Sequence, residues 1–296
     1  MTDFAPELPQ RTLAERVFDS LRERSSPGRF AGSLVCFFVG LVYVIPLLWV
    51  VTEGVKASSD IFSTSPFPHS FRISNFADAW RQFQLGTLFA HTIVITIATV
   101  VLSIAFSVTA AYGFSRYRSK LSEGVFVLIL TGLMVPPAAI IIPFFLTMRH
   151  LGLYNNLFAV ILGETAFALP LGILLLRGYI DNIPTELTDA AVVDGASEWK
   201  AFRYVVFPLL RPAVATVALF TIISTWNGFL LPLVLLRDTA TSTLTVGISQ
   251  TAGQVGQLSL QFVAAAAVMA VVPVLVILIA ARRYYVQGLS AGALKH

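Results

Sequence analysis

Two ionisable side chains interrupt stretches that are otherwise apolar. Glu164 is the one acid between residues 151 and 176, and His91 is the one group titrating near neutrality between 86 and 115. An ionisable group in so apolar a segment is costly to keep, so each is a candidate for lining a substrate pathway, with a capping or inter-helix role as the alternative. Trp226 and Asn227 set an aromatic face beside an amide, a pairing suited to a stacked, hydroxyl-rich molecule. Asn227 serves equally well in a hydrogen bond between helices. Catalysis has less to work with. The four histidines, His69, His91, His150 and His296, pair with no obvious nucleophile or metal ligand, and there is no His-Glu-x-x-His run. The Gly-x-x-x-x-Gly-Lys-Ser/Thr phosphate loop is absent, down to the Gly-Lys dipeptide. Cys36 is the sole cysteine, which excludes an intrachain disulfide or a cysteine-based metal site. No catalytic residue, metal or cofactor is therefore expected in this chain.

The densest group of chemically capable residues lies at 178–211, which holds Asp181, Glu186, Asp189, Asp194 and Glu198. Pro184 suits the first position of a helix, where its missing N–H costs nothing. Acids in the next turns meet the positive end of the helix dipole. The small pair Ala190-Ala191 follows, then Asp194-Gly195, where glycine permits a left-handed backbone. A second helix is expected from about Ala196, with Pro208 and Pro212 marking the start of the next apolar span. The predicted product is a helix–turn–helix with a small-residue face that another protein's backbone can approach closely.

Positioning these groups falls to the apolar stretches. About 20 apolar residues cross a hydrocarbon core as a helix. Candidate spans run over 31–52, 86–115, 124–148, 151–176, 212–236 and 262–281. Charged residues make up 12% of the chain, against about 25% in soluble domains, and they fall between the spans. The expected fold class is all-α, a polytopic membrane protein of six transmembrane helices. Prolines interrupt most spans, most strongly at Pro136-Pro137 in the third. Lys and Arg set the orientation. With both termini in the cytosol, 15 of the 20 basic residues lie on the cytosolic side, the exceptions being Lys56, Arg72, Arg81, Arg149 and Arg237. The net charge of +4 is thus topological and does not indicate a nucleic-acid partner.

The expected organisation is a cytosolic segment at 1–30, a transmembrane domain at 31–282 with 178–211 as its longest cytosolic loop, and a cytosolic tail at 283–296. The first segment has no apolar core of a secretory signal. Its Thr12 and Glu15 have capping-box spacing, and Leu13, Val17, Phe18 and Leu21 stripe a short amphipathic helix. On the outer side, residues 54–85 are rich in proline and aromatics, while 239–260 carry no charge. Each is either a surface for an external partner or a plain connector.

The loop resembles the coupling motif of permease subunits in binding-protein-dependent ABC importers, namely Glu-Ala-Ala, three residues, Gly, nine residues, Ile-x-Leu-Pro. Asp189-Ala190-Ala191, Gly195 and Val205-Val206-Phe207-Pro208 stand at the matching positions, with Asp for Glu and Phe for Leu. Ser224-Thr225-Trp226-Asn227-Gly228-Phe229 and the ending Gly288-Leu289-Ser290-Ala291-Gly292-Ala293-Leu294-Lys295 look like the carbohydrate branch, with the maltose and glycerol-phosphate permeases as relatives. The resemblance implies the type I importer permease (MetI-like) fold in a bacterial plasma membrane. It implies a paralogous second permease, two ATPase subunits that bind the ATP and Mg, an extracytoplasmic solute-binding protein, membrane lipid, and a sugar, oligosaccharide, polyol or glycerol phosphate as cargo. Glu186, Asp189, Ala190, Ala191, Asp194, Gly195 and Pro208 would then receive the ATPase, and Glu164, Trp226 and Asn227 would line the substrate path. A non-sugar importer and a secondary transporter are the alternatives.

Overall fold

The computed structural model describes residues 27–60, 63, 65, 67–238, 241–254 and 260–293. The amphipathic pattern expected over 12–21 lies outside them. The chain divides into two compact units, Met1–Thr52 and Glu53–His296. The first holds most of α1 (Pro27–Val55), whose side chains at 32–51, Cys36 among them, are exposed on every side. An apolar helix without a polar face has no place in water and suits hydrocarbon.

The second unit is helical, and among its described residues the one strand-like pairing is a bridge between Lys56 and Phe71. Its helices are α2 (Ser74–Gln82), α3 (Leu85–Arg116), α4 (Lys120–Thr131), α5 (Pro137–His150) and α6 (Leu157–Ile180). They continue with α7 (Thr185–Val193), α8 (Glu198–Ala201), α9 (Phe207–Trp226), α10 (Leu230–Leu235), α11 (Leu244–Gln254) and α12 (Leu260–Ala293). Among the described residues five helices are long and apolar enough to cross a membrane, and a sixth span is reached when the pair α4–α5, bent by 104°, is counted as one. The bend has a local cause. Residues before a proline avoid the helical region, and both Val135 (ψ 115°) and Pro136 (ψ 133°) are extended before Pro137 restarts the helix.

Three expected boundaries change. The helix expected near Ala196 does not stop at the prolines but runs unbroken over Glu198–Trp226. Pro208 has no N–H and would crowd the carbonyl four residues back. The chain absorbs it by widening to a π turn over Phe202–Val206, closed by the Phe207 N–H donating to the Phe202 carbonyl. The fifth span ends at Trp226, ahead of the expected 236, and resumes as the short α10. Finally, α12 continues through the expected boundary at 282 to Ala293, so the predicted tail begins as helix.

The centre of the second unit is the contact of α3 with α6 and α9. Thr92, Thr96, Thr99, Ser103 and Ser107 recur at three- and four-residue spacing and are all buried, which makes a small-residue stripe along one face of α3. Ser103 donates across to Thr221, but the hydroxyls of Thr96, Thr99 and Ser107 find no partner. What the stripe supplies is therefore small volume. Gly172 of α6 sits against it, so that a Cβ there would collide with Ser107 Oγ and come within 3.3 Å of Val217 Cγ1 on α9. A leucine- and valine-rich cluster (Val108, Leu176, Leu210, Val217) closes the same seam below. At the other end, Lys56 is 2% exposed and donates to Glu53 at 2.5 Å, while Asn75 donates to the carbonyls of Gly54 and Lys56.

Replacing Gly172 by Val overfills a three-helix contact, which costs about 1–3 kcal/mol in well-packed interiors. The expected result is a lower thermal midpoint of the detergent-solubilised protein, partly restored by adding Ser107→Gly; thermal unfolding followed by size-exclusion chromatography measures both.

Candidate functional site

The residues expected to receive a partner form an elbow. Pro184 (ψ 129°) precedes α7 as its cap, Glu186 lies in the first turn, and the helix stops at Asp194. Gly195 has φ +85°, the left-handed turn that its sequence position predicted, with open space where a Cβ would be. The Gly195 and Ala196 N–H groups donate to the carbonyls of Val192 and Ala191, closing the helix end. Ser197 then caps α8 by accepting from the Lys200 N–H. Asp189 and Ala190 are exposed and Ala191 is half-buried; Val193 is 86% exposed, and Trp199 is exposed with its ring 5.5 Å from that of Phe202. Apolar side chains so exposed beside small ones make a surface that wants a partner. Pro208 lies apart from this face, in the first turn of α9.

Glu164 faces a cavity of about 380 Å³ between α6, α9, α10 and the bend of α4–α5. Leu133 and Pro137 come from the bend, Phe167 and Leu171 from α6, and Phe220, Thr221 and Ser224 from α9. Glu164 is the one ionisable lining residue. Its carboxylate lies against the break in the fifth span, where a Cβ on Gly228 would stand 2.8 Å from Oε1. The break is well satisfied. Asn227 donates from Nδ2 to the Ile223 carbonyl, and Thr245 donates from its hydroxyl to the Gly228 carbonyl at 2.7 Å.

The other sequence candidates fall elsewhere. Trp226 is 6% exposed, packs in a cluster with Phe83 and Leu88, and donates from Nε1 to the Ala270 carbonyl. Its indole does not line the cavity. Asn227 is exposed beside the break and is also absent from the lining. The His91 ring bonds the Ser242 carbonyl at 3.2 Å and joins α3 to the segment before α11. Residues 288–292 carry a Gly-x-Ser-x-Gly pattern, yet their backbone lies inside α12 and not in the strand–turn–helix that exposes a nucleophile.

Residues 103–290 match the family described as binding-protein-dependent transport system inner membrane component. The chain belongs to this family. Among curated relatives of this inner membrane component, the melibiose/raffinose/stachyose import permease of Bacillus subtilis is 35% identical over 89% of this chain and 95% of the relative. The diacetylchitobiose uptake system permease of Streptomyces coelicolor is 32% identical, covering 92% of this chain and 91% of its own. A crystal structure of a bacterial ABC transporter involved in import of the acidic polysaccharide alginate superposes with a TM-score of 0.75 at 26% identity, over 94% of this chain and 100% of that one.

One group of residues escaped the sequence reading. The short connection between α3 and α4 touches the elbow and the end of α6 repeatedly. Ser115 donates to Asp181 at 2.8 Å, Arg118 pairs with the same oxygen at 2.9 Å, and Arg116 approaches Asp189 at 4.0 Å. Tyr117 donates to Glu198 at 3.0 Å. These partners are more than 60 residues apart in sequence, so no local pattern announces them.

The Glu198 carboxylate that accepts the Tyr117 hydroxyl raises the phenol above its ordinary value of 10. A raised value means the fold favours the neutral phenol, so this contact is present below pH 10 and weakens as pH rises through the shifted value. The difference in tyrosinate absorbance between the parent and Tyr117→Phe should show a titration above 10 that moves down in Glu198→Gln.

Proposed function

We propose that this inner membrane component is the permease subunit of an ATP-driven importer that carries a carbohydrate (a sugar, an oligosaccharide, or a related polyol or glycerol phosphate) into the cytoplasm. The observation that carries the reading is the elbow, with its left-handed Gly195 turn between two short helices and its exposed apolar and small side chains. Relatives named as a melibiose/raffinose/stachyose import permease and a diacetylchitobiose uptake system permease support the carbohydrate class. The basic asymmetry supports cytosolic termini and a cytosolic elbow within the loop at 178–211. The transmembrane domain then occupies 31–282, between a cytosolic segment at 1–30 and a tail from 283.

ATP and Mg belong to two partner ATPase subunits, because this sequence has no phosphate-binding loop. A second permease and an extracytoplasmic solute-binding protein complete the assembly. Glu186, Asp189, Ala190, Ala191, Asp194 and Gly195 form the docking face, and Pro208 fixes where α9 departs from it. The ATPase drives transport only if each nucleotide state binds one permease conformation better than the other. Glu164 is the polar contact in the substrate path, with Asn227 at its edge and Trp226 next to it at the end of α9.

A bulky residue at 195 meets a backbone that costs about 1–2 kcal/mol for side chains with a Cβ. Gly195→Trp in the reconstituted complex should keep ATP hydrolysis and lower uptake by about tenfold or more; unchanged uptake overturns the docking assignment. Uptake should also stop on ATP depletion and survive collapse of the proton gradient, whereas the reverse would make Glu164 a proton relay in a secondary transporter. Glu164→Gln should raise the KM for import about tenfold, the scale of one hydrogen bond to a charged group, with ATPase activity retained.

A further inference from the structure

The connection at residues 115–123 and its contacts are unused by the function proposed so far. It faces the elbow across a cleft of about 490 Å³ lined by Arg116, Arg118, Asp181, Thr185 and Thr188. Polar contacts join the connection to both α6 and α8. Asp181, just past α6, holds Ser115 and Arg118, and Glu198, at the start of α8, holds Tyr117. Deeper in, Arg177 of α6 pairs with Glu123 in the first turn of α4 and with Asp181 at 3.7 Å, and its guanidinium lies 4.0 Å over the Phe126 ring. Arg177 is 8% exposed, so its charge is tied to these partners and cannot exchange them freely for water.

The other end of α4 reaches the transport cavity. The helix runs into the bend whose Leu133 and Pro137 line the cavity opposite Glu164. Gly132 in that turn lies so close to α6 that a Cβ would stand 3.3 Å from Pro170 Cγ. One rigid helix of three turns therefore has the polar clamp at one end and the cavity wall at the other.

We propose that the connection at 115–123 is a second transmission element, in which Arg118, Asp181, Glu123 and Arg177 act as positioning residues that pass movement of the elbow through α4 to the cavity wall. The inference rests on the coupling role assigned to the elbow. Tyr117 to Glu198 and Arg116 to Asp189 tie the connection to the elbow directly, while Arg118 and Glu123 tie it to Asp181 and Arg177 at the end of α6, from which the elbow departs. Movement of Glu123 carries α4, and α4 carries Leu133, in the turn that ends it, towards or away from the cargo.

The test uses the reconstituted complex with the variants Arg118→Gln, Glu123→Gln and their combination, beside Gly195→Trp. The expected result is a rise of roughly fivefold or more in ATP hydrolysed per solute imported for the combined variant, the lower range for coupling between sites, with Glu123→Asp restoring much of the loss. If Gly195→Trp uncouples and the connection variants do not, the transmission role falls and the elbow assignment stands. If Gly195→Trp has no effect, the elbow assignment falls first. Hydrogen exchange on the unmodified complex needs no variant to assemble. Exchange at 115–123 and at 185–201 should change in the same direction on ATP binding, and independent changes overturn the proposal.

Discussion

Close approach of α3 to α6 is the constraint from which the rest of the second unit follows. In hydrocarbon, helices gain little from hiding apolar surface from one another, so association depends on how tightly their surfaces fit. The stripe of Thr and Ser on α3 and Gly172 on α6 allow that fit by keeping volume out of the seam. α6 is thereby fixed along its length. Its first half then presents Glu164 to the cavity, and its last turn presents Arg177 to α4. A looser seam would leave both groups without a defined place.

Departures from regular helix are concentrated where work is proposed, and each is compensated. The bend at Pro136-Pro137 leans on Pro170, and the break at Asn227-Gly228 is filled by an amide and by the Thr245 hydroxyl. Unpaired backbone groups in a membrane cost several kcal/mol each, so these substitutions are what permit an irregular backbone there at all. The bend and the break also lie beside one cavity.

Much of the fold was legible in the sequence because hydrophobic length and charge placement are local properties. The elbow was legible for the same reason: Pro184 and Gly195 act on their own backbones, and both took the conformations their chemistry favours. Contacts were not legible. In spans apolar all round, periodicity does not say which face is inward, so Trp226 looked like a ligand platform when its indole is packed against α12. Asp181 and Glu198 looked like solvated loop acids because their partners lie on a distant connection. Prolines misled in one direction only. Pro136-Pro137 interrupted its span as expected, whereas Pro208 was absorbed by a π turn whose extra backbone spacing no residue pattern displays.

That π turn has a geometric consequence. A π turn is an α-helix carrying one residue too many, and each residue of an α-helix advances the side chains by about 100°. Phe202 and Val206 face the core on one side of it, and Trp199 faces outward just before it. The rotational phase between α8 and α9 is thus stored in a single surplus residue. Regularising the turn would swing the elbow around the helix axis by about a quarter of a revolution, pointing its exposed face at a different neighbour while leaving every span intact. The direction in which this subunit presents itself is encoded separately from the structure that spans the membrane.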